Sequence, residues 1–183
     1  VNKEKGLRTG NVMSHVAILE IPAYHKIIAV TDGGMMMYPN VEEKKQIIEN
    51  AVNVFLAFGY ECPKVAVLAA VETVNPKMPE AVDGDILKKM NQNGEIKNCI
   101  VEGPISVDLA FNKESAKIKG YESPVTGEAD ILLVPNIATG NIMSKALLEF
   151  AEGTMAGMIV GAKVPIVLTS RGATWEEKYL SLV

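Results

Sequence analysis

The stretch "ADILLVPNIATGNIMSKALLEFAEG", Ala129–Gly153, carries the reading of the fold. Ala129–Val134 reads as a strand, and its Ile131–Val134 part is a short, unbroken apolar run, the pattern of a strand covered on both faces. Pro135 ends it, because proline has no N–H to give to a sheet ladder. A loop through Asn136 then reaches Gly140 and Asn141. Asn141–Glu152 has the character of a helix, with Gly153 beyond it. A strand that leads into a helix, and not into a tight turn, is half of a parallel crossover unit.

The same alternation extends in both directions. Lys26–Thr31 and Lys64–Val71 read as strands. Between them, Val41–Phe58 reads as a helix, with Ile47, Ala51, Val54, Phe55 and Phe58 along one face. Asn40 is placed to cap it, Glu43 to complete a capping box, and Gly59 to end it. A helix near Glu80–Asn91, a strand at Cys99–Glu102 and a helix at Asp108–Lys119 follow. Met158–Val160 and Pro165–Thr169 read as the last strands, with a final helix after Thr174. The segment around His15 is read as the first helical segment. The expected class is α/β, a mostly parallel sheet with helices on both faces.

Composition narrows the function. The 183 residues carry a net charge of −4, with 48% apolar and 22% charged residues. No basic run offers a surface for nucleic acid. Cys62 and Cys99 make neither a disulfide framework nor a zinc site, and fit a reducing cytoplasm. The apolar runs are too short to span a bilayer. His15 and His25 lack partners at metal-ligand spacing, so no metal is expected. The start at "VNKEKG" and the end at "YLSLV" read as a fragment of a longer protein.

In parallel sheets, ligands bind beyond the carboxyl ends of strands, and four strand ends carry candidate chemistry. In "VLTSRGATWEE", Val167–Glu177, Ser170 and Arg171 stand between an apolar run and a helix opened by a Thr174–Glu177 capping box. Backbone donors and a guanidinium suit a phosphate or carboxylate there; a surface turn is the alternative. In "VPNIATGNIMSK", Val134–Lys145, a helix start faces a strand end with Lys145 nearby. It lacks the spacing of a nucleotide phosphate loop, and an Asn141 helix cap with an exposed lysine explains it as well. In "VEGPISVD", Val101–Asp108, the aspartate fits a helix start. In "AVETVNPKMPEAVDG", Ala70–Gly84, Glu72 and Asn75 face a cleft or shape a turn. The "GGMMMYP" stretch, Gly33–Pro39, is an apolar pocket lip or a packing segment. No G-x-S-x-G nucleophile elbow occurs.

Taken in order, "GLRTGNVMSHVAILEIP", "KVAVLAAVETVNPKMP", "VEGPISVD", "SPVTGEADILLVPNIATGNIMSKAL" and "VGAKVPIVLTSRG" resemble the phosphate acetyl/butyryltransferase family. "AAVETVNPKMP" points to the butyryltransferase branch. The resemblance implies acyl-CoA + phosphate ⇌ acyl phosphate + CoA, with no cofactor beyond coenzyme A as substrate and no metal. It implies a cytoplasmic homo-oligomer, commonly a dimer, with no membrane or nucleic-acid partner. It also implies a two-domain fold like that of isocitrate and isopropylmalate dehydrogenases, partly present here. Residues 26–156 would be the middle domain, and residues 1–25 and 157–183 parts of the terminal one. Carried over, Arg171 holds the phosphoryl group, Ser170 donates to the oxyanion and Glu177 stands at the position of a base. Glu177 departs from the aspartate usual there. Where the family has a cleft arginine, this chain has His15, so Arg8 is the candidate phosphate contact. Pro135, Asn136, Gly140, Asn141 and Lys145 would line the substrate side. Two other readings stay open: a non-catalytic excised domain or dimerisation core, and a dehydrogenase-like domain, for which the aspartate cluster of a metal site is missing.

Overall fold

A computed structural model describes residues 6–182. Thirteen elements follow one another: β1 (Ser14–Glu20), β2 (Ile28–Thr31), α1 (Val41–Ala57), β3 (Lys64–Leu68), α2 (Pro79–Gln92), β4 (Ile100–Ile105), α3 (Val107–Phe111), α4 (Lys113–Ile118), β5 (Ile131–Leu133), α5 (Ile137–Phe150), β6 (Thr154–Val160), β7 (Ile166–Val167) and α6 (Trp175–Leu180). The strands form one seven-stranded sheet in the order β4-β3-β5-β2-β1-β6-β7. β4, β3, β5 and β2 pair in parallel. The β2–β1, β1–β6 and β6–β7 pairings are antiparallel. Five strands therefore run one way, and β1 and β7 run the other.

Each face of the sheet carries its own apolar layer. α1 and α2 cover one face, where Ile47, Ile48, Phe55 and Leu87 meet Val16, Ala29, Val65, Val101 and Ile131. α3, α4 and α5 cover the other, where Leu109, Ala110 and Ala116 meet Leu19, Ile28, Val30, Ala66 and Leu132. Successive residues of β1 and β2 alternate between the two layers, as the pleat requires. A fully buried Ile or Phe contributes roughly 1.5–3 kcal/mol, so these layers dominate stability. α1 is tied to α2 by the Lys44 ammonium on the Asp83 carboxylate at 2.6 Å. Lys44 is buried, and a buried cation needs such a partner.

The expected capping signals of α1 are present. Asn40 accepts from the Glu43 N–H, and Glu43 accepts from the Asn40 N–H. Gly59 follows with φ +91°. Three expectations need correction. The segment holding His15 is strand β1, not a helix; Val16–Leu19 is apolar on both sides because both faces are covered, so its run shows no period. α5 begins at Ile137, four residues before Asn141, and its cap is Asn136, which accepts from the Thr139 N–H. The helix expected at Asp108–Lys119 is two short ones, because Asn112 leaves the helical conformation and caps α4.

The sheet runs without a break from the edge strand β4 to β7. Residue 156 lies inside β6, which pairs with β1 along its whole length.

Candidate active site

The carboxyl ends of β2 and β5 lie side by side, with Thr31 opposite Leu133. Asp32 follows β2 and is 2% exposed. Its carboxylate accepts from the backbone N–H groups of Gly34 (2.7 Å), Met35 (2.8 Å), His15 (3.0 Å) and Met36 (3.2 Å). One side chain thus fixes the Gly33–Met37 loop and joins it to β1. The loop then meets α5: Ile137 donates its N–H to the Met37 carbonyl at 3.1 Å. That carbonyl takes one of the donors a helix start leaves open. Gly33 and Gly140 pass so closely that a Cβ at Gly140 would lie 2.7 Å from the Gly33 Cα and 2.8 Å from Val134 Cγ2.

His15 lies on the far side of the same loop. Its imidazole fills the space above two glycines; a Cβ at Gly34 would come within 2.9 Å of its Cγ, and one at Gly157 within 3.0 Å of Nε2. Nδ1 is buried without a hydrogen-bond partner. Burial lowers the His15 pKa from 6.5, and the nearby Asp32 charge opposes that only in part. His15 is therefore a neutral packed ring.

A second cluster joins the loops after β3 and β4, two strand ends read separately in the sequence. The Ser106 hydroxyl donates to the Glu72 carboxylate. Lys119, just past α4, reaches Glu72 at 2.8 Å and Asp108 at 3.0 Å. The Lys119 and Ser106 hydrogen bonds lower the Glu72 pKa; those of Ser106 and Lys119 lower that of Asp108. The group sets two carboxylates around one ammonium and is closed on itself. Asn75 turns inward to its own loop, accepting from the Lys77 N–H.

The β7–α6 corner is built differently. α6 has its capping box: Thr174 accepts from the Glu177 N–H, and Glu177 accepts from the Thr174 N–H at 2.8 Å. Ser170 accepts from the Gly172 N–H at 3.3 Å. Ser170 and Arg171 are exposed, and α6 buries none of its residues. Because β7 is antiparallel to β6, its carboxyl end points away from the end where β2, β3 and β5 finish. The structure therefore does not bring Ser170 and Arg171 to Asn136 and Gly140. Arg8 is exposed and bridges to Ala162 beyond the carboxyl end of β6, at the same end of the sheet as Asn136. Pro135 and Asn136 are half-buried, Gly140 is buried, and Asn141 and Lys145 are exposed. Beside α6 a hollow of about 510 Å³ is lined by Ile18, Ala156, Met158, Val167, Leu180 and Leu182 among others; Glu20 is its one charged residue. Such a lining suits an apolar group and not a phosphate.

Sequence reading missed Asp32 as the organiser and His15 as a packed ring. The available signal was Asp–Gly–Gly straight after a buried strand, since Asp side chains bind backbone donors a few residues on. Among the described residues no group of His, Cys, Asp and Glu could hold a metal, and no helix is long and apolar enough to cross a membrane.

A family model described as phosphate acetyl/butaryl transferase matches residues 1–183. Phosphate acetyltransferase of Thermotoga maritima is 47% identical over 182 residues, which span all of this chain and 62% of that protein. Phosphate butyryltransferase of Clostridium acetobutylicum is 46% identical, again over the whole chain and 60% of the relative. The crystal structure of a branched-chain phosphotransacylase from Enterococcus faecalis V583 superposes with a TM-score of 0.90 at 40% identity, covering all of this chain and 65% of that one. The chain thus spans under two thirds of the length of these relatives.

Proposed function

This chain belongs to the phosphate acetyl/butaryl transferase family, and on that premise we propose that the intact protein transfers an acyl group between coenzyme A and inorganic phosphate. The observation that carries the proposal is the whole-chain family match together with a Ser170–Arg171 pair whose side chains are both open to a ligand. The acyl group is butyryl or a similar short or branched chain, on the strength of "AAVETVNPKMP". Identity to the acetyltransferase and butyryltransferase relatives differs by one percentage point, so whole-chain identity does not separate the branches.

In the proposed reaction a phosphate oxygen attacks the thioester carbonyl carbon. The carbonyl becomes an oxyanion and collapses to acyl phosphate as the C–S bond breaks. Arg171 offers a planar fork to the phosphate. Ser170 donates to the oxyanion, an interaction strongest in the transition state. The sulfur leaves as thiolate and is protonated at neutral pH, since a thiol pKa is ~8.5. In reverse, the thiol must lose that proton. Glu177 can accept it only by releasing Thr174, so the helix cap competes with the base. Holding both substrates in line supplies much of the remaining rate.

Arg8, Pro135, Asn136, Gly140, Asn141 and Lys145 form the proposed substrate side. Since Ser170 and Asn136 point to opposite ends of this sheet, closing the site calls for a further surface. The family's two-domain arrangement, similar to isocitrate and isopropylmalate dehydrogenases, would provide one. In it, residues 26–156 belong to the middle domain, and residues 1–25 and 157–183 lead toward the terminal one. The proposed setting is the cytoplasm, where acyl-CoA and phosphate are both available.

The experiment is thiol release from butyryl-CoA by the intact protein, with acyl phosphate trapped as the hydroxamate. Equal amounts of thiol and hydroxamate, both requiring phosphate, are expected. Thiol release without phosphate would make the protein a thioesterase and end the proposal.

A further inference from the structure

Gly157 lies in β6, one position beyond the Met158–Val167 pairing that ends β7. Its carbonyl accepts from the Leu168 N–H at 3.3 Å, and its N–H donates to the Ser181 hydroxyl at 3.0 Å. Leu168 stands two residues before Ser170, and Ser181 caps the far end of α6. Among the described residues these are the only hydrogen bonds that tie residues 168–182 to the rest of the chain. The others run within the segment, from Gly172 and Ala173 back to Ser170 and through the capping box of α6. Ser181 is 8% exposed, and its hydroxyl donates in turn to the Glu177 carbonyl at 2.8 Å. One side chain thus joins the last turn of α6 to the backbone of β6. Position 157 has no room for a side chain. A Cβ there would lie 2.7 Å from the Leu168 carbonyl oxygen and 3.0 Å from His15 Nε2. A glycine inside a strand marks such a close approach of backbone. His15 closes the notch from the other side, and the same ring packs over Gly34 in the Gly33–Met37 loop.

We propose that Gly157 and Ser181 are positioning residues for acyl transfer, which pin both ends of the segment that carries Ser170 and Arg171 to one residue of β6. The inference rests on the acyl-transfer reading given above. Neither residue touches substrate; both act through the pair they place. The capping box gives the segment its shape but not its location, because its partners all lie within the segment. α6 buries none of its own residues, so the two bonds to Gly157 carry much of the placing. A methyl group at 157 pushes the Leu168 carbonyl outward, just before Ser170. Loss of the Ser181 hydroxyl frees the other end and leaves the Gly157 N–H without its acceptor. Either change moves the guanidinium and the hydroxyl away from the position where phosphate and oxyanion need them. Displacement of a reacting geometry by about 1 Å lowers a rate by up to ~10²-fold.

The test is a double-variant comparison in the intact protein, read as kcat/KM for phosphate with butyryl-CoA and, separately, as the unfolding midpoint. Ser181→Ala is expected to lower kcat/KM for phosphate about tenfold or more, with unchanged far-ultraviolet circular dichroism. Ser181→Thr keeps the hydroxyl, has the adjoining hollow for its methyl group, and should recover most of the loss. Gly157→Ala should lower kcat/KM at least as far as Ser181→Ala. In an Arg171→Ala background, Ser181→Ala and Gly157→Ala are expected to change little further, since residues that act as a unit are not additive. A merely structural role would repeat its full effect there. Undiminished kcat/KM in a folded Ser181→Ala protein would overturn the proposal. So would a full further loss in the Arg171→Ala background, Ser181→Thr as poor as Ser181→Ala, or a drop in the unfolding midpoint large enough to explain the lost activity. A wild type without phosphate-dependent cleavage of butyryl-CoA would end the acyl-transfer reading itself, and this proposal with it.

Discussion

The β2–β5 end and the β7–α6 corner are both strand-to-helix junctions, yet they are held in opposite ways. At the first, a buried aspartate accepts four backbone N–H groups and two glycines bring loop and helix into contact. At the second, a capping box orders the helix start, while Ser170, Arg171 and the whole of α6 remain unburied. The first junction is complete in itself. The second has its local geometry set by short-range hydrogen bonds and keeps its side chains open.

Breaking the first junction should unfold the protein; breaking the second should leave it folded and idle. The largest stability loss is expected from Asp32→Ala, which takes the shared acceptor from four part-buried backbone N–H donors, at about 3 kcal/mol. Urea unfolding measures it, and Asp32→Asn should recover part through its remaining acceptor oxygen. Next comes Gly140→Ala, whose methyl group has nowhere to go; overpacking of this kind costs roughly 1–3 kcal/mol. Thr174→Ala removes a cap usually worth ~1 kcal/mol to its helix. Since α6 buries nothing, the expected result is faster amide exchange at Trp175–Glu177 with the midpoint of global unfolding almost unchanged.

Acid should act on the first region through His15. Burial lowers its folded pKa below the unfolded 6.5. The unfolded chain therefore takes up a proton that the folded one refuses, and stability falls as pH drops below about 6.5. His15→Gln should flatten that part of the stability–pH curve. A separate loss is expected in stronger acid. The Lys113 hydrogen bond and the neighbouring lysines hold the Glu128 carboxyl at about 2, against 4.5 ordinarily. Its contribution is whole above 4.5 and fades as pH falls toward 2.

The two regions also differed in how plainly the sequence announced them. The capping boxes at Asn40–Glu43 and Thr174–Glu177 were readable because their partners are three residues apart. α1 was readable because one face is apolar and the other is not. β1 was hidden, since Val16–Leu19 is buried on both sides and has no period. The start of α5 was displaced because Gly140, a poor helix former, serves as the point of approach to Gly33. The Glu72–Ser106–Asp108–Lys119 cluster joins segments separated along the chain, so no local pattern marked it; the Asp32 hub had a local mark in Asp–Gly–Gly, but its tie to His15 of β1 did not show. The same holds for the candidate corner: its capping box was legible, but the opposite directions of β7 and β5 became visible only in the sheet.

The central claim is that Arg171 holds phosphate during acyl transfer. Its most direct test is the phosphate dependence of acyl-CoA cleavage in the intact protein with Arg171→Ala beside the wild type. The account predicts a fall in kcat/KM for phosphate of about 10²-fold or more, an unchanged unfolding midpoint, and only partial recovery in Arg171→Lys, which keeps the charge and loses the fork. Wild-type kcat/KM for phosphate in a folded Arg171→Ala protein would contradict it.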